Sequence, residues 1–374
     1  MDTMTSTVED AELLRDSVRR ALEQLSSSAD VRRAMATARG FDDKVWRRVA
    51  YELGLPGLTL PGQLGGGGFT TVQLAIAFEE AGARLLCAPL FATAGLAVPL
   101  LQALGDDEAL AHYAPRIARG ELTATVALAE GSGRWCTEGV ACVAREAGSG
   151  WLIGGAKNYV VDGSTAGLIL VVGRAGAELG VFAVDGDAPG LQRTQLVTLD
   201  QTRKQACLVF AGAPARRIGS GDATGAIARA TAVSRALLAA EQVGGAQHCL
   251  DMTVAYAKAR IQFGRPIGSF QAVKQRLAEC LVLVESARSA AQAAAKAAED
   301  DDELEHVAAI AAHTCGNAYT WVAEQTVQLH GGIGFTWEHD AHLYFKRARA
   351  SAQLLGASGE LVELLAHQLE TTIP

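Results

Sequence analysis

AYAKARIQFGRPIGSFQAVKQRLAE, residues 255–279, is the stretch on which the reading of this chain turns. Its apolar spacing describes a helix that ends near Arg260 and a second that starts near Phe270. Pro266 and two glycines force a turn between them. Arg260 is thereby aimed off a helix end. A guanidinium there pairs bidentately with a phosphate, Phe263 offers a ring for stacking, and Gln271 offers an amide for a carbonyl or a heterocycle edge. That is the chemistry of a dinucleotide. Taken alone, the segment equally fits a surface arginine beside a packed phenylalanine.

A second segment, EQTVQLHGGIGFTWEHDAHLYFKRA (324–348), has a helix ending at His330 and a glycine-rich loop leading into another helix. Gly331, Gly332 and Gly334 let a ligand approach the main chain, and Gln328 lies on the last helical turn. An ordinary glycine helix cap reads the same way, so the two segments together are more informative than either alone.

Working outward, the pattern changes in blocks. From Val8 to about Gly120 apolar residues recur at three- and four-residue spacing, as in Val18, Leu22 and Leu25 and again in Leu74, Ile76 and Phe78. From about Glu121 to Gly219 come short β-rich runs (TATVALA, LILVVG, GVFAV) between Gly, Asp, Asn and Pro turns. From Ala223 onward long Ala- and Leu-rich helical stretches return, divided by the turn above, by the acidic run EDDDE (299–303) and by HGGIG. Helical, strand and helical blocks without β-α alternation exclude a doubly wound sheet and predict a multidomain α+β chain. The expected domains are 1–120 (helical), 121–220 (antiparallel β) and 221–374 (four-helix bundle).

Length and charge narrow the function. A chain of 374 residues is long enough for two or three packed domains. Its 49% hydrophobic and 20% charged residues describe a globular protein. The formal net charge is −8 and the basic residues are scattered, so no nucleic-acid partner is expected. Seven cysteines without a CxxC pair, an acidic N-terminus without an apolar signal core, and apolar windows too short to span a bilayer point to a cytoplasmic protein with no membrane association.

RIQFGRPIGSFQ followed some sixty residues later by QLHGGIGFTWEHD is similar to the paired C-terminal signature of acyl-CoA dehydrogenases. The resemblance covers essentially the whole chain and implies that family's helical, β and four-helix-bundle order. It further implies that Arg260, Phe263, Gln271, Gln328 and Gly332 hold the ADP part of an FAD seated mainly on a neighbouring subunit, and hence an oligomer. It places Arg235 near the acyl end of an acyl-CoA substrate and makes electron-transfer flavoprotein the electron acceptor.

The sequence departs from the family at the catalytic base, which must reach the α-carbon of the thioester. The usual glutamate position falls on Leu355, and the alternative position, one residue before Arg235, holds Ser234. Neither takes a proton unaided. Glu241 is the nearest carboxylate along that helix and the one candidate for a displaced base. On the flavin-ring side, AEGSGRW places Ala129 where a threonine is usual. In GGAKNYVVDG, Tyr159 and Val161 replace a ring-covering aromatic and a second threonine. Residues that serve a neighbour's FAD match, and those that would serve this chain's own ring do not. In this the chain resembles the base-lacking subunit of actinobacterial α2β2 acyl-CoA dehydrogenases, including those acting on sterol side-chain thioesters. The resemblance implies a role in lipid β-oxidation or steroid degradation. A self-sufficient homotetramer using Glu241 or another, displaced carboxylate and a non-catalytic scaffold remain as alternatives.

Other motifs are weaker. His330, His339 and His342 with Glu338 and Asp340 match no usual zinc spacing, so no metal is expected. LPGQLGGGGF (60–69) lacks the Lys-Ser/Thr of a phosphate loop and reads as a turn, and the GSG around Ser132 lacks the setting of a nucleophile elbow.

Overall fold

The computed structural model describes residues 2–299 and 303–372, with side chains from residue 11 to 368; Asp300–Asp302 of the acidic run lie outside the described residues. The chain opens with helices α1 (Asp2–Leu25), α2 (Ser28–Ala36), α3 (Asp43–Arg47), α4 (Thr71–Ala83), α5 (Val98–Ala103) and α6 (Asp107–Ala118). Strands β1 (Ala124–Ala127), β2 (Val143–Ala147), β3 (Gly150–Val161), β4 (Leu168–Ala175), β5 (Glu178–Asp185), β6 (Leu191–Gln195) and β7 (Gln205–Ile218) follow. Then come α7 (Thr224–Ala259), the two-residue strands β8 (Ile261–Gln262) and β9 (Arg265–Pro266), α8 (Gln271–Ala297), α9 (Leu304–His330), α10 (Ala341–Ser351) and α11 (Ser358–Thr372). This is the helical, β, helical order that the periodicity gives. Among the described residues no helix is long and apolar enough to cross a membrane.

The contacts divide the chain into two compact units that each draw on the N-terminal helices. One holds Met1–Arg32, Thr71–Leu86 and Arg235–Pro374; the other holds Arg33–Thr70 and Cys87–Ser234.

In the first unit the long helices approach closely because their facing residues are small. Ala236, Ala239 and Val243 of α7 pack with Ala287, Ala291 and Ala294 of α8 and with Ala311, Cys315 and Ala318 of α9. At one crossing the contact is backbone on backbone. A Cβ on Gly82 of α4 would lie 1.9 Å from the carbonyl oxygen of Glu241, and one on Gly244 of α7 would lie 1.8 Å from that of Glu79. Only glycine fits either position. Helix α1 buries Val18, Leu22 and Leu25 and is tied to α4 through Arg15 and Arg19, which both donate to the buried Glu80 at 3.0 Å.

In the second unit the sheet buries Ile153, Ile169, Val171, Phe182, Val184, Leu208 and Phe210 in one core, from strands whose inward residues alternate with exposed ones or, in β4 and β5, are buried over six consecutive positions. Pairings run β4-β2-β3-β7-β5, and β5 returns to β4, closing a ring. The sheet is mixed where the sequence led us to expect antiparallel pairing alone. β1 pairs parallel with β4 (Val126 opposite Leu170) and β2 touches β4 in parallel at Val143 and Arg174. The reason is connectivity: β1 reaches β4 only after the β2–β3 hairpin, so its direction is set by a crossover and not by a tight turn.

Candidate functional site

The two C-terminal motifs meet at one end of the helical unit. Helix α7 stops at Ala259 and the chain doubles back through a hairpin in which Gln262 pairs with Arg265. The turn is made by Phe263 at φ +53° and Gly264 at φ +75°, which leaves the Phe263 ring 91% exposed. The hairpin is closed onto the helix end by the Ile267 N–H, which donates to the Arg260 carbonyl at 2.8 Å. Arg265 lies 4.1 Å above the Phe270 ring. Helix α8 then starts at Gln271 with no side chain capping its first N–H groups. Such a helix end is suited to an anion. Arg260 and Gln271 are both exposed.

Helix α9 delivers the second half. Gln328 is exposed on its last turn, Gly331 takes φ +64°, and Gly332 is exposed with open space where a Cβ would stand. Tyr256, one turn before Arg260, stacks on His330, two residues beyond Gln328, with ring centroids 4.4 Å apart. Arg276 Nη1 donates to Gln325 Oε1 at 2.5 Å, tying α8 to α9 one turn before Gln328. The structure thus brings Arg260, Phe263, Gln271, Gln328 and Gly332 to a single exposed end of the bundle. The glycine loop is held from the N-terminal segment. Arg32 donates to the carbonyl of Trp337 at 2.6 Å and to Asp340 Oδ1 at 2.5 Å.

Three imidazoles line this loop, and all are held below their ordinary range. Burial is the first cause for each: for His330, for His339, and for His342, which is pushed down to about 4 with help from Lys346 and Arg32. His330 Nδ1 sits 2.7 Å from the Thr326 carbonyl and so carries the proton. Among the described residues no group of three or more His, Cys, Asp or Glu side chains is arranged to hold a metal.

The residues expected at the reacting end have other engagements. Leu355 is 2% exposed at φ +60°, and its carbonyl accepts the Arg235 Nε–H at 2.9 Å. Burial lowers the Arg235 pKa. Ser234 is buried and its hydroxyl donates to the Ala230 carbonyl at 2.8 Å, one turn back. Glu241 is buried with Oε1 2.9 Å from Arg347 Nη1 of α10.

In the β unit, Ala129 is buried without a hydroxyl, and its carbonyl accepts the Asn158 N–H at 2.8 Å. Tyr159 sits at φ +55°, in a register shift of β3 against β7, with its ring half exposed. Val161 is buried.

Sequence reasoning missed two features here. Lys157 is fully buried and its Nζ donates to Glu130 Oε1 at 2.8 Å and to the Leu128 carbonyl at 2.9 Å. Glu130 also accepts the N–H groups of Ala141 and Cys142. Burial raises the Glu130 carboxyl, but Lys157 and the two backbone donors outweigh it and hold the group below its usual value. The other is Trp135, at the far side of the loop that Glu130 closes, whose Nε1–H donates to Thr231 Oγ1 of α7 at 3.2 Å. A tryptophan in a glycine- and serine-rich loop was the available signal.

Sequence models of the acyl-CoA dehydrogenase N-terminal domain and C-terminal domain match residues 8–121 and 224–370. The chain belongs to the acyl-CoA dehydrogenase family. Acyl-CoA dehydrogenases are FAD-dependent oxidoreductases acting on the CH–CH bond of acyl-CoA. The acyl-CoA dehydrogenase IpdE2 of Mycobacterium tuberculosis is 34% identical over 361 residues, 96% of each chain. Among solved structures, a variant of the Tcur3481–Tcur3483 steroid acyl-CoA dehydrogenase is similar at TM-score 0.89 and 30% identity, covering 97% of this chain and 98% of that one. The ChsE4–ChsE5 complex from Mycobacterium tuberculosis is similar at TM-score 0.88 and 28% identity, with 97% and 98% covered.

Proposed function

We propose that this acyl-CoA dehydrogenase chain works as one member of an unlike pair, lending the ADP-binding half of an FAD site to a base-bearing partner in an α2β2 assembly. The observation that carries this reading is the contrast between two sets of residues. Arg260, Phe263, Gln271, Gln328 and Gly332 stand exposed at one end of the bundle, whereas the positions for a base hold Leu355 and Ser234, both buried and incapable of proton abstraction.

In the assembled enzyme a bound FAD would supply the acceptor for the hydride leaving the β-carbon of the acyl-CoA thioester. This chain's share is binding and orientation. Arg260 and the uncapped start of α8 would hold the phosphates, Phe263 would offer its ring for stacking, Gln271 and Gln328 would hydrogen-bond the dinucleotide, and Gly332 would let it approach the backbone. The ring-side residues Ala129 and Val161 offer no side-chain donor, so this chain is not suited to seat a flavin ring alone.

The two complexes among the relatives, whose names each join two proteins, support a heteromeric assembly, and the steroid enzyme supports a ring-bearing acyl group. Electron-transfer flavoprotein as acceptor and a cytoplasmic location complete the reading. For a self-sufficient enzyme Glu241 is the nearest carboxylate to the base position, and it is paired with Arg347.

Expression of this chain alone and together with a base-bearing family member tests the proposal. The expected result is flavin and acyl-CoA-dependent electron transfer only in the joint preparation, at one FAD per unlike pair. Full flavin occupancy and turnover by this chain alone overturns it.

A further inference from the structure

Loop 131–140 closes on itself. Its two ends are drawn together by Glu130, whose carboxylate takes the N–H groups of Ala141 and Cys142 and the ammonium of Lys157, while the Gly133 N–H donates to the Glu130 carbonyl at 2.9 Å. From this clasped loop Trp135 reaches α7, where Thr231 Oγ1 accepts its indole N–H. The indole is half-buried and lines a hollow with Leu100, Leu128, Ile227, Thr231 and Ser234, in which only about 10 Å³ remains free. That is space for roughly one water.

The walls of this hollow are apolar apart from Thr231 and Ser234, and both hydroxyls are engaged: one accepts the indole N–H and the other donates to Ala230. The hollow therefore suits an apolar occupant with one weakly polar point. It already has one. The indole supplies a large flat apolar body and a single donor that finds its acceptor, the form in which a tryptophan is stably placed inside a protein. The clasp also fixes the loop's backbone, so the ring is held by four hydrogen bonds to Glu130 as well as by its own contacts.

We propose that Trp135 is a resident plug: it fills, from within the chain, the hollow that would otherwise receive the apolar acyl part of a thioester, so the chain offers substrate no seat of its own. This rests on the reading of the chain as the member of the pair that lacks a base. The wall residue Ser234 is the position at which the family resemblance puts an alternative base, and a base must stand within hydrogen-bond reach of the acyl α-carbon. The same hollow thus lacks both the proton acceptor and the room.

The test uses the 374-residue chain with Trp135→Ala, and Trp135→Leu as a milder variant that keeps an apolar filler. Melting temperature is followed against indole for Trp135→Ala and against benzene for Trp135→Leu, and hexanoyl-CoA binding is measured by calorimetry. The expected result is a saturable rise in melting temperature for each variant with its probe, no rise for the wild type, and at least tenfold tighter hexanoyl-CoA binding by the variants, reversed by the small probe. A wild type that responds as the variants do, or variants that respond to neither probe, removes the plug. Hexanoyl-CoA affinity unchanged from wild type removes the acyl seat. Flavin content of the joint preparation is a separate readout. If the wild-type complex lacks one FAD per unlike pair, the paired-subunit reading fails while the small-probe result still stands.

Discussion

Glu241 Oε1 lies 2.9 Å from Arg347 Nη1, with both side chains buried, so the carboxylate that sequence offered as a displaced base joins α7 to α10. Breaking such a pair from one side leaves a buried charge without a partner, at a cost of about 3–5 kcal/mol, whereas replacing both members by apolar groups is often tolerated. Glu241→Ala is expected to lower the urea midpoint sharply, and Glu241→Leu combined with Arg347→Met to recover much of the loss. Activity of the joint enzyme is expected to follow the folded fraction. A variant that stays folded and loses turnover at the chemical step would falsify the structural role.

The α4–α7 crossing yields a prediction with no chemistry in it. At Gly82 and at Gly244 a methyl group would stand within 2 Å of a backbone oxygen on the facing helix. Gly82→Ala and Gly244→Ala are each expected to destabilise by about 1–3 kcal/mol or more, the range for forced overpacking, despite alanine's higher helix propensity. Thermal melts of the two single variants check this.

Cofactor retention separates the exposed end of the bundle from the core. On the proposed role of Arg260, Arg260→Ala would remove a charge-assisted contact worth about 1.5–3 kcal/mol, so FAD affinity of the joint enzyme is expected to fall by about ten- to a hundredfold. The melting temperature of the chain alone should hardly change, since Arg260 is exposed. Arg260→Lys should restore only part of the affinity, because the bidentate fork is lost. Flavin absorbance after gel filtration measures both.

Acid should loosen the fold through the imidazoles around the glycine loop. His330, His339 and His342 are all held below the ordinary value, His342 near about 4. The unfolded chain therefore binds protons at a pH where the native one does not, and stability must rise with pH across that window. It is complete above about pH 6.5 and is lost progressively as the pH falls towards about 4. Denaturation midpoints at pH 7 and pH 4.5 should show the fall, and His342→Gln should flatten it by at most about 1.4 kcal/mol per pH unit.

What could be read from the sequence was what is local. Gly264, Pro266 and Gly268 mark a break between two helices within a dozen residues, so the turn and an arginine off its helix end were legible. The family's order of domains followed from the change of period at Glu121 and again at Ala223. Pairings across long separations were not legible. Arg347 stands 106 residues from Glu241, and nothing in the periodicity of α7 distinguishes a glutamate that meets it from one facing water. The parallel partnership of β1 with β4 was hidden for the same reason, since alternation marks a strand but not its neighbour. Trp135 lay in a loop whose composition suggests only a turn; its destination on α7 depends on Glu130 and Lys157, 27 residues apart.

Arg32 and Asp340, which together hold the glycine loop, are 308 positions apart. On the ribosome one is made long before the other. The loop that carries Gly332 therefore lacks its tie to the N-terminal segment until residue 340 has been synthesised, however early the helices before it have formed. Closure of this tie is in this way a late event in the life of the nascent chain, and a product that stops short of residue 340 lacks it altogether.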